Sequence, residues 1–212
     1  NKFVNVPTTS TFTAGLGYLI RMPNDATTTP TAFEGQFTGI PNNGTITLSS
    51  LAPDKFYSVG NPYPSTLDAN AFLNGNSTGG TLYFWRKTNG VAGSAYATRN
   101  LLGGSASGAG SEVPNGTIQV GQGFIVKTGA TANQLVFTNA MRLGTTTTQF
   151  FKTRKETEKS RLWLNLTNTA GLFSQALVGY LDGATLGVDN GYDGLYINDS
   201  ATALTSIIDG EE

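Results

Sequence analysis

An antiparallel all-β fold of the sandwich or jelly-roll kind is predicted by three observations. Short apolar, aromatic and β-branched runs recur along the 212 residues, turn residues punctuate them, and few stretches carry a helical pattern. The turn residues come from a composition with 27 glycines and 8 prolines. A charged fraction of 13% with abundant Thr, Gly, Asn and Ser fits an extracellular β module. The length suits one large β domain or two smaller ones, either able to bury a core without staples. We divide it into a sandwich unit at 1–148, a charged linker or edge segment at 149–160, and the start of a second, incomplete unit at 161–212.

The elements follow in order. Tyr18 to Met22 reads as an apolar strand, and Ala32 to Thr38 alternates Phe33, Gly35 and Phe37 against Glu34 and Gln36, the mark of one buried face. Pro41-Asn42-Asn43-Gly44 is a hairpin turn before Thr45 to Leu48. Phe56, Tyr57 and Val59 form a strand that Asn61-Pro62-Tyr63-Pro64 ends, since proline lacks the N–H and fixes φ. Either Xaa-Pro bond is a candidate for the cis form. Asp68 caps a short helix over Ala69 to Leu73.

Thr81 to Lys87 is a strand, and the Gly/Ser/Ala-rich stretch Gly103 to Gly116 reads as a mobile connection. Gln119 to Lys127 and Gln134 to Phe137 pair as a second hairpin with Phe124 and Phe137 in the core. Thr145 to Thr148 leads into the densest charge, Lys152 to Lys159. Beyond it Leu162, Leu164 and Leu166 point inward against Arg161, Trp163 and Asn165. Ser174 to Leu181 sets Ala176, Val178 and Tyr180 on one face.

Composition narrows the chemistry. With no cysteine there are no disulfides, thiolate nucleophiles or cysteine-held metals. With no histidine, Ser-His and Cys-His pairs and the commonest zinc ligand are gone, while enzymes built on two carboxylates survive this test. The carboxylates Glu34, Asp54, Asp68, Glu112, Glu211 and Glu212 show no acid–base spacing, and surface or capping roles account for them. We expect no enzyme. A net charge of -1 offers no footprint for nucleic acid, and no apolar run reaches the roughly 20 residues of a membrane-spanning helix, so we expect neither nucleic-acid binding nor membrane insertion.

Three sets of residues are candidate sites. Tyr83 and Trp85 on one strand face, with Trp163, have the aromatic faces that stack on sugar rings, although the same residues are ordinary core content. Asp189, Asn190 and Asp193 supply the oxygen ligands that Ca²⁺ takes, in a spacing unlike the EF-hand and equally suited to an Asx turn. Gly121-Gln122-Gly123-Phe124 lacks the helix and lysine of a phosphate loop.

Tyr57-Ser58-Val59-Gly60-Asn61-Pro62-Tyr63-Pro64-Ser65 followed by Leu67-Asp68 resembles a segment near the C-terminal ends of large surface proteins exported by the type IX secretion system. Gln119 to Val126, Asn139-Ala140-Met141-Arg142, and Ala184 to Asp193 resemble the same family in the same order. The resemblance implies a non-catalytic module of a secreted protein on the outer surface of a Gram-negative bacterium, serving display or adhesion. It implies a sorting signal beyond this chain, read by the type IX machinery, and an extracellular polysaccharide or protein as partner. It also implies strands continuing past Glu212, and O-glycosylation at Asp199-Ser200-Ala201 with Ser200 as acceptor. The alternative is a carbohydrate-binding module, accessory to a secreted glycoside hydrolase, using Tyr83, Trp85 or Trp163.

Overall fold

The computed structural model describes residues 5–7, 9–20, 38–86, 95–144, 160–197 and 200–208. Alternating β-branched and aromatic residues there form β1 (Ile46–Leu48), β2 (Phe56–Gly60), β3 (Leu67–Asp68), β4 (Thr78–Trp85), β5 (Tyr96–Arg99) and β6 (Gly104–Ser105). They continue as β7 (Thr117–Ile118), β8 (Gly123–Thr128), β9 (Leu135–Phe137), β10 (Ser160–Thr167) and β11 (Phe173–Tyr180), with one α-helix among the described residues, α1 (Ala69–Asn74), and a 3-10 turn at Asn139–Met141. Every strand ladder is antiparallel, and the all-β, sandwich-like class is as predicted.

A five-stranded sheet in the order β2-β8-β4-β5-β6 is the frame. Its period of two sends Val59, Phe124, Val126, Leu82, Phe84 and Ala97 to one face, where all are buried. The opposing layer is α1 with the β1–β9 ribbon, which contributes Phe72, Leu135 and Phe137. The Phe72 ring meets Phe124 edge-on at 5.3 Å and Phe137 at 5.0 Å, so this ring stitches the layers together. Asp68 caps α1 as expected, accepting from the backbone N–H groups of Asn70 at 2.8 Å and Ala71 at 3.2 Å.

Both sheet edges are covered. Along β2, Gly17 N–H donates to Ser58 carbonyl and Gly60 N–H to Gly15 carbonyl, each at 3.0 Å. Gly17 is required there, because a Cβ would lie 2.2 Å from Ser58 Oγ. Along β6, the β10–β11 hairpin supplies the cover.

Four expectations need correction. The segments at 119–127 and 134–137 do not pair, because β8 is a central strand whose sides are taken by β2 and β4, and β9 crosses to the other layer to pair with β1. Gly44 has the positive φ of a turn, at 83°, yet the strand it starts pairs with β9. The start of the 103–116 connection is sheet: Asn100 Oδ1 accepts from Leu102 and Gly103 N–H at 3.0 Å, and this Asx turn lays Gly104–Ser105 against β5. In β10, Leu162 and Leu164 are exposed, whereas Arg161 and Trp163 hydrogen-bond to the β6 side, Trp163 while still 39% exposed.

No cis peptide bond occurs among the described residues, and no helix there is long and apolar enough to cross a membrane. The predicted strand at 32–38, but for Thr38, and the charged segment at 149–160, but for Ser160, lie outside the described residues.

Phe137→Ala is expected to lower the free energy of unfolding by about 3–5 kcal/mol, and Asp68→Ala by about 1 kcal/mol, both read from urea melts. A Phe137→Ala protein as stable as wild type would refute this assignment of the core.

Candidate functional site

The best-connected polar cluster begins where β2 runs into Asn61-Pro62-Tyr63-Pro64. Two prolines remove two backbone donors, so this sharp loop must be held by side chains. Buried Asn61 does so: its Nδ2 donates to the carbonyls of Ser65 at 2.7 Å and Gln119 at 3.0 Å, and its Oδ1 accepts from Tyr63 N–H at 3.0 Å. Tyr63 then turns inward, and its hydroxyl donates to Gly44 carbonyl at 2.6 Å.

Arg142 closes the cluster, its guanidinium 5.2 Å from the Tyr63 ring centroid. Its Nε donates to Ser65 Oγ at 2.9 Å, and its Nη1 to Asn43 Oδ1 at 3.0 Å and Asn139 Oδ1 at 3.3 Å. Asn139 Oδ1 also accepts from Gly44 N–H at 3.1 Å. Burial pushes the Tyr63 phenol above its ordinary pKa and outweighs the opposite pull of Arg142. Three segments singled out separately in the sequence, around Asn61, Gln119 and Asn139-Arg142, are thus one constellation. Its heteroatoms are engaged by backbone and neighbouring amides, which makes it a clamp.

The three candidate sugar-stacking aromatics are in unlike settings. Tyr83 and Trp85 share the outer face of β4, as their spacing implied. Tyr83 is nevertheless only 3% exposed, with Phe56 and Tyr96 edge-on at 5.9 and 6.5 Å. Its hydroxyl donates to Leu195 carbonyl at 2.5 Å, and burial raises its pKa well beyond the tyrosine range. Trp85 is 60% exposed and meets Tyr96 edge-on at 5.2 Å. Trp163 donates its indole N–H to Gly104 carbonyl at 3.0 Å, with the Arg161 guanidinium 5.6 Å from its ring centroid. Trp85 therefore has an open ring, whereas Tyr83 lies beneath the C-terminal segment.

That segment is anchored by close backbone approach. Leu101 N–H donates to Gly191 carbonyl at 2.8 Å, Asn100 Nδ2 donates to Tyr192 carbonyl, and a Cβ on Gly80 would lie 2.1 Å from Gly191 N. In the adjoining acidic loop, Asp189 accepts from Thr185 N–H at 2.6 Å and Thr185 Oγ1 at 2.9 Å. Asp193 Oδ2 accepts from Asp189 N–H at 2.7 Å. Each carboxylate thus reaches back to groups four residues earlier in the chain and holds the loop closed, which is not the two-residue bond of an Asx turn. The side of the loop is a shallow cavity of about 160 Å³ lined by Leu181, Asp182, Asp189, Asn190 and Tyr192. Among the described residues no three acidic side chains are grouped for a metal.

Other carboxylates have local tasks. Asp54 pairs with Lys127 at 3.3 Å, and Asp68 caps α1. Ser200 Oγ donates to Thr202 carbonyl at 3.0 Å, while Asp199, Glu34, Glu211 and Glu212 lie outside the described residues.

A family model described as a domain of unknown function (DUF8693) matches residues 1–212. The chain belongs to the DUF8693 family. No curated protein and no solved structure matches it.

Asn61→Ala would strand Tyr63 N–H and two carbonyls, and a loss of about 1–3 kcal/mol is expected in denaturant melts, the cost of burying unpaired polar groups. Tyr83 gives a pH signature. Its folded pKa lies above the unfolded value of 10.0, so its contribution to stability is full below that value and is lost as pH rises beyond it. Alkaline titration of phenolate absorbance should show tyrosines that ionise later in the native protein than in urea. Tyr83→Phe should remove the latest of them, and an unchanged curve would contradict the burial of Tyr83.

Proposed function

We propose that this chain is a non-catalytic module of a type IX secreted protein at the outer surface of a Gram-negative cell, serving structural display or adhesion. The observation that carries the proposal is the Asn61–Tyr63–Arg142 clamp, because three of the four segments behind the resemblance to that family converge in it. A display module needs a chain path that survives shear and proteases. Hydrogen bonds from Asn61 and Arg142 tie together segments up to 99 residues apart in sequence. Partners on this reading are extracellular polysaccharides or proteins, and the secretion machinery acts through sequence beyond this chain.

Fractionation of the producing cells tests this. Recovery of the polypeptide on the outer surface or in the medium, where intact cells leave it open to added protease, is the expected result. Recovery from the cytoplasm alone would overturn it.

A carbohydrate-binding module is the second reading, favoured by one observation: the exposed Trp85 ring braced edge-on by Tyr96. Polysaccharides should then shift tryptophan fluorescence in wild type and Trp163→Ala but not in Trp85→Ala. No response across a broad panel would leave display as the function.

A further inference from the structure

The dipeptide Asn-Gly occurs five times in the chain, and Asn43-Gly44, Asn74-Gly75, Asn115-Gly116 and Asn190-Gly191 lie among the described residues. Glycine has no side chain to shield its backbone nitrogen, which can attack the amide of the preceding asparagine. The fold opposes this at three of the four. Gly44 N–H is held by Asn139 Oδ1 at 3.1 Å, while Asn43 Oδ1 accepts from Arg142 Nη1 at 3.0 Å. Gly75 N–H donates to Ala71 carbonyl at 3.0 Å and closes α1. At Asn190-Gly191, a Cβ on Gly80 would lie 2.1 Å from Gly191 N and 2.9 Å from Asn190 Oδ1, so this pair is wedged against β4.

Asn115-Gly116 is placed differently. Asn115 is exposed, and Gly116 N–H has no hydrogen-bond partner among the described residues. Asn115 Oδ1 accepts from Thr117 N–H at 2.9 Å, an Asx turn whose hydrogen-bonded ring contains both Asn115 Cγ and Gly116 N. The side chain is thereby folded toward the peptide that can attack it. Thr117 N–H also polarises the amide carbonyl and meets the negative charge that develops on Oδ1. Arg99 stands beside them. A Cβ on Gly116 would lie 3.2 Å from Arg99 Nη2 and 3.3 Å from its Cζ, and bonds to Asn70 Oδ1 at 3.2 Å and Pro114 carbonyl at 3.5 Å keep the guanidinium there. A cation this close favours the deprotonated, nucleophilic form of the Gly116 nitrogen.

We infer that Asn115 is a site of spontaneous, water-driven modification selected by the fold. Gly116 N gives its proton to hydroxide and attacks Asn115 Cγ. The N–Cγ bond forms, the Cγ–Nδ2 bond breaks, and Nδ2 leaves as ammonia with a proton taken from water. A succinimide ring then spans the two residues. Water adds to either of its carbonyls and opens it to an aspartate or an isoaspartate. Both products set a carboxylate next to Arg99, and the isoaspartate also lengthens the main chain just before β7, the partner of β3.

The test ages the full wild-type chain in mildly alkaline buffer, with a parallel sample in urea, and follows each Asn-Gly peptide by mass spectrometry. In urea the four should convert at similar rates, because the reacting dipeptide is the same. In the native protein Asn115 should convert about tenfold faster than Asn43 and Asn74, whose glycines must first give up a hydrogen bond, and Asn190 should lag behind Asn115 as well. Arg99→Gln should slow the native conversion of Asn115 and leave its rate in urea unchanged. Native conversion of Asn115 no faster than that of Asn43 or Asn74 overturns the inference, and this comparison within wild type decides it even where Arg99→Gln does not fold. A folded Arg99→Gln protein that converts as fast as wild type overturns the role given to Arg99.

Discussion

The Asn61 side chain is the interaction on which the rest of the structure depends. Strand β2 must stop and turn within a few residues, and the two prolines that enforce the turn also strip it of backbone donors. One amide, using both its donor and acceptor sides, restores the balance by reaching forward to Ser65 and across to Gln119. Tyr63 is thereby sent inward to Gly44, and Arg142 covers it. Because Gln119 leads into β8 and Asn139-Arg142 follows β9, this loop fixes both layers relative to each other.

Packing then follows from register. With β8 between β2 and β4, the inward side chains Val59, Phe124, Val126 and Leu82 are brought to one face, and α1 has a single surface on which to place Phe72. The outer face around Tyr83 is covered by the 191–195 segment, which passes at backbone distance because Gly80 and Gly191 carry no side chains. Tyr83 is consequently buried on a face that alternation alone would leave to solvent.

Much of the fold was legible where a residue's chemistry is local. The β2 strand, its proline stop, the Asp68 cap and α1 follow from groups within a few residues of one another. The partners of β9 and β6 were not legible, since pairing is decided by which edges remain open after the central strands assemble. The pieces of the clamp were visible as motifs, but their convergence depends on contacts such as Arg142 to Asn43, 99 residues apart. For the aromatics, spacing gave the shared face of Tyr83 and Trp85, while the difference in exposure comes from a segment more than 100 residues later.

The inverted hairpin shows which force wins when hydrophobic pattern and polar satisfaction disagree. Leu162 and Leu164 read as the inward face, and turning them inward would gain part of the roughly 1.5–3 kcal/mol that full burial of such a side chain is worth. Leu162 and Leu164 instead remain 56% and 42% exposed, so only a portion of that gain is forgone. Against it stand three backbone groups at the β6 edge, each costing about 1–3 kcal/mol if covered without a partner. The Arg161, Trp163 and Gln175 face carries two donors and an acceptor for them, whereas the Leu162, Leu164, Ala176 and Val178 stretch on the opposite face carries none. An apolar strand laid on that edge would bury those groups unpaired, so the polar face turns inward.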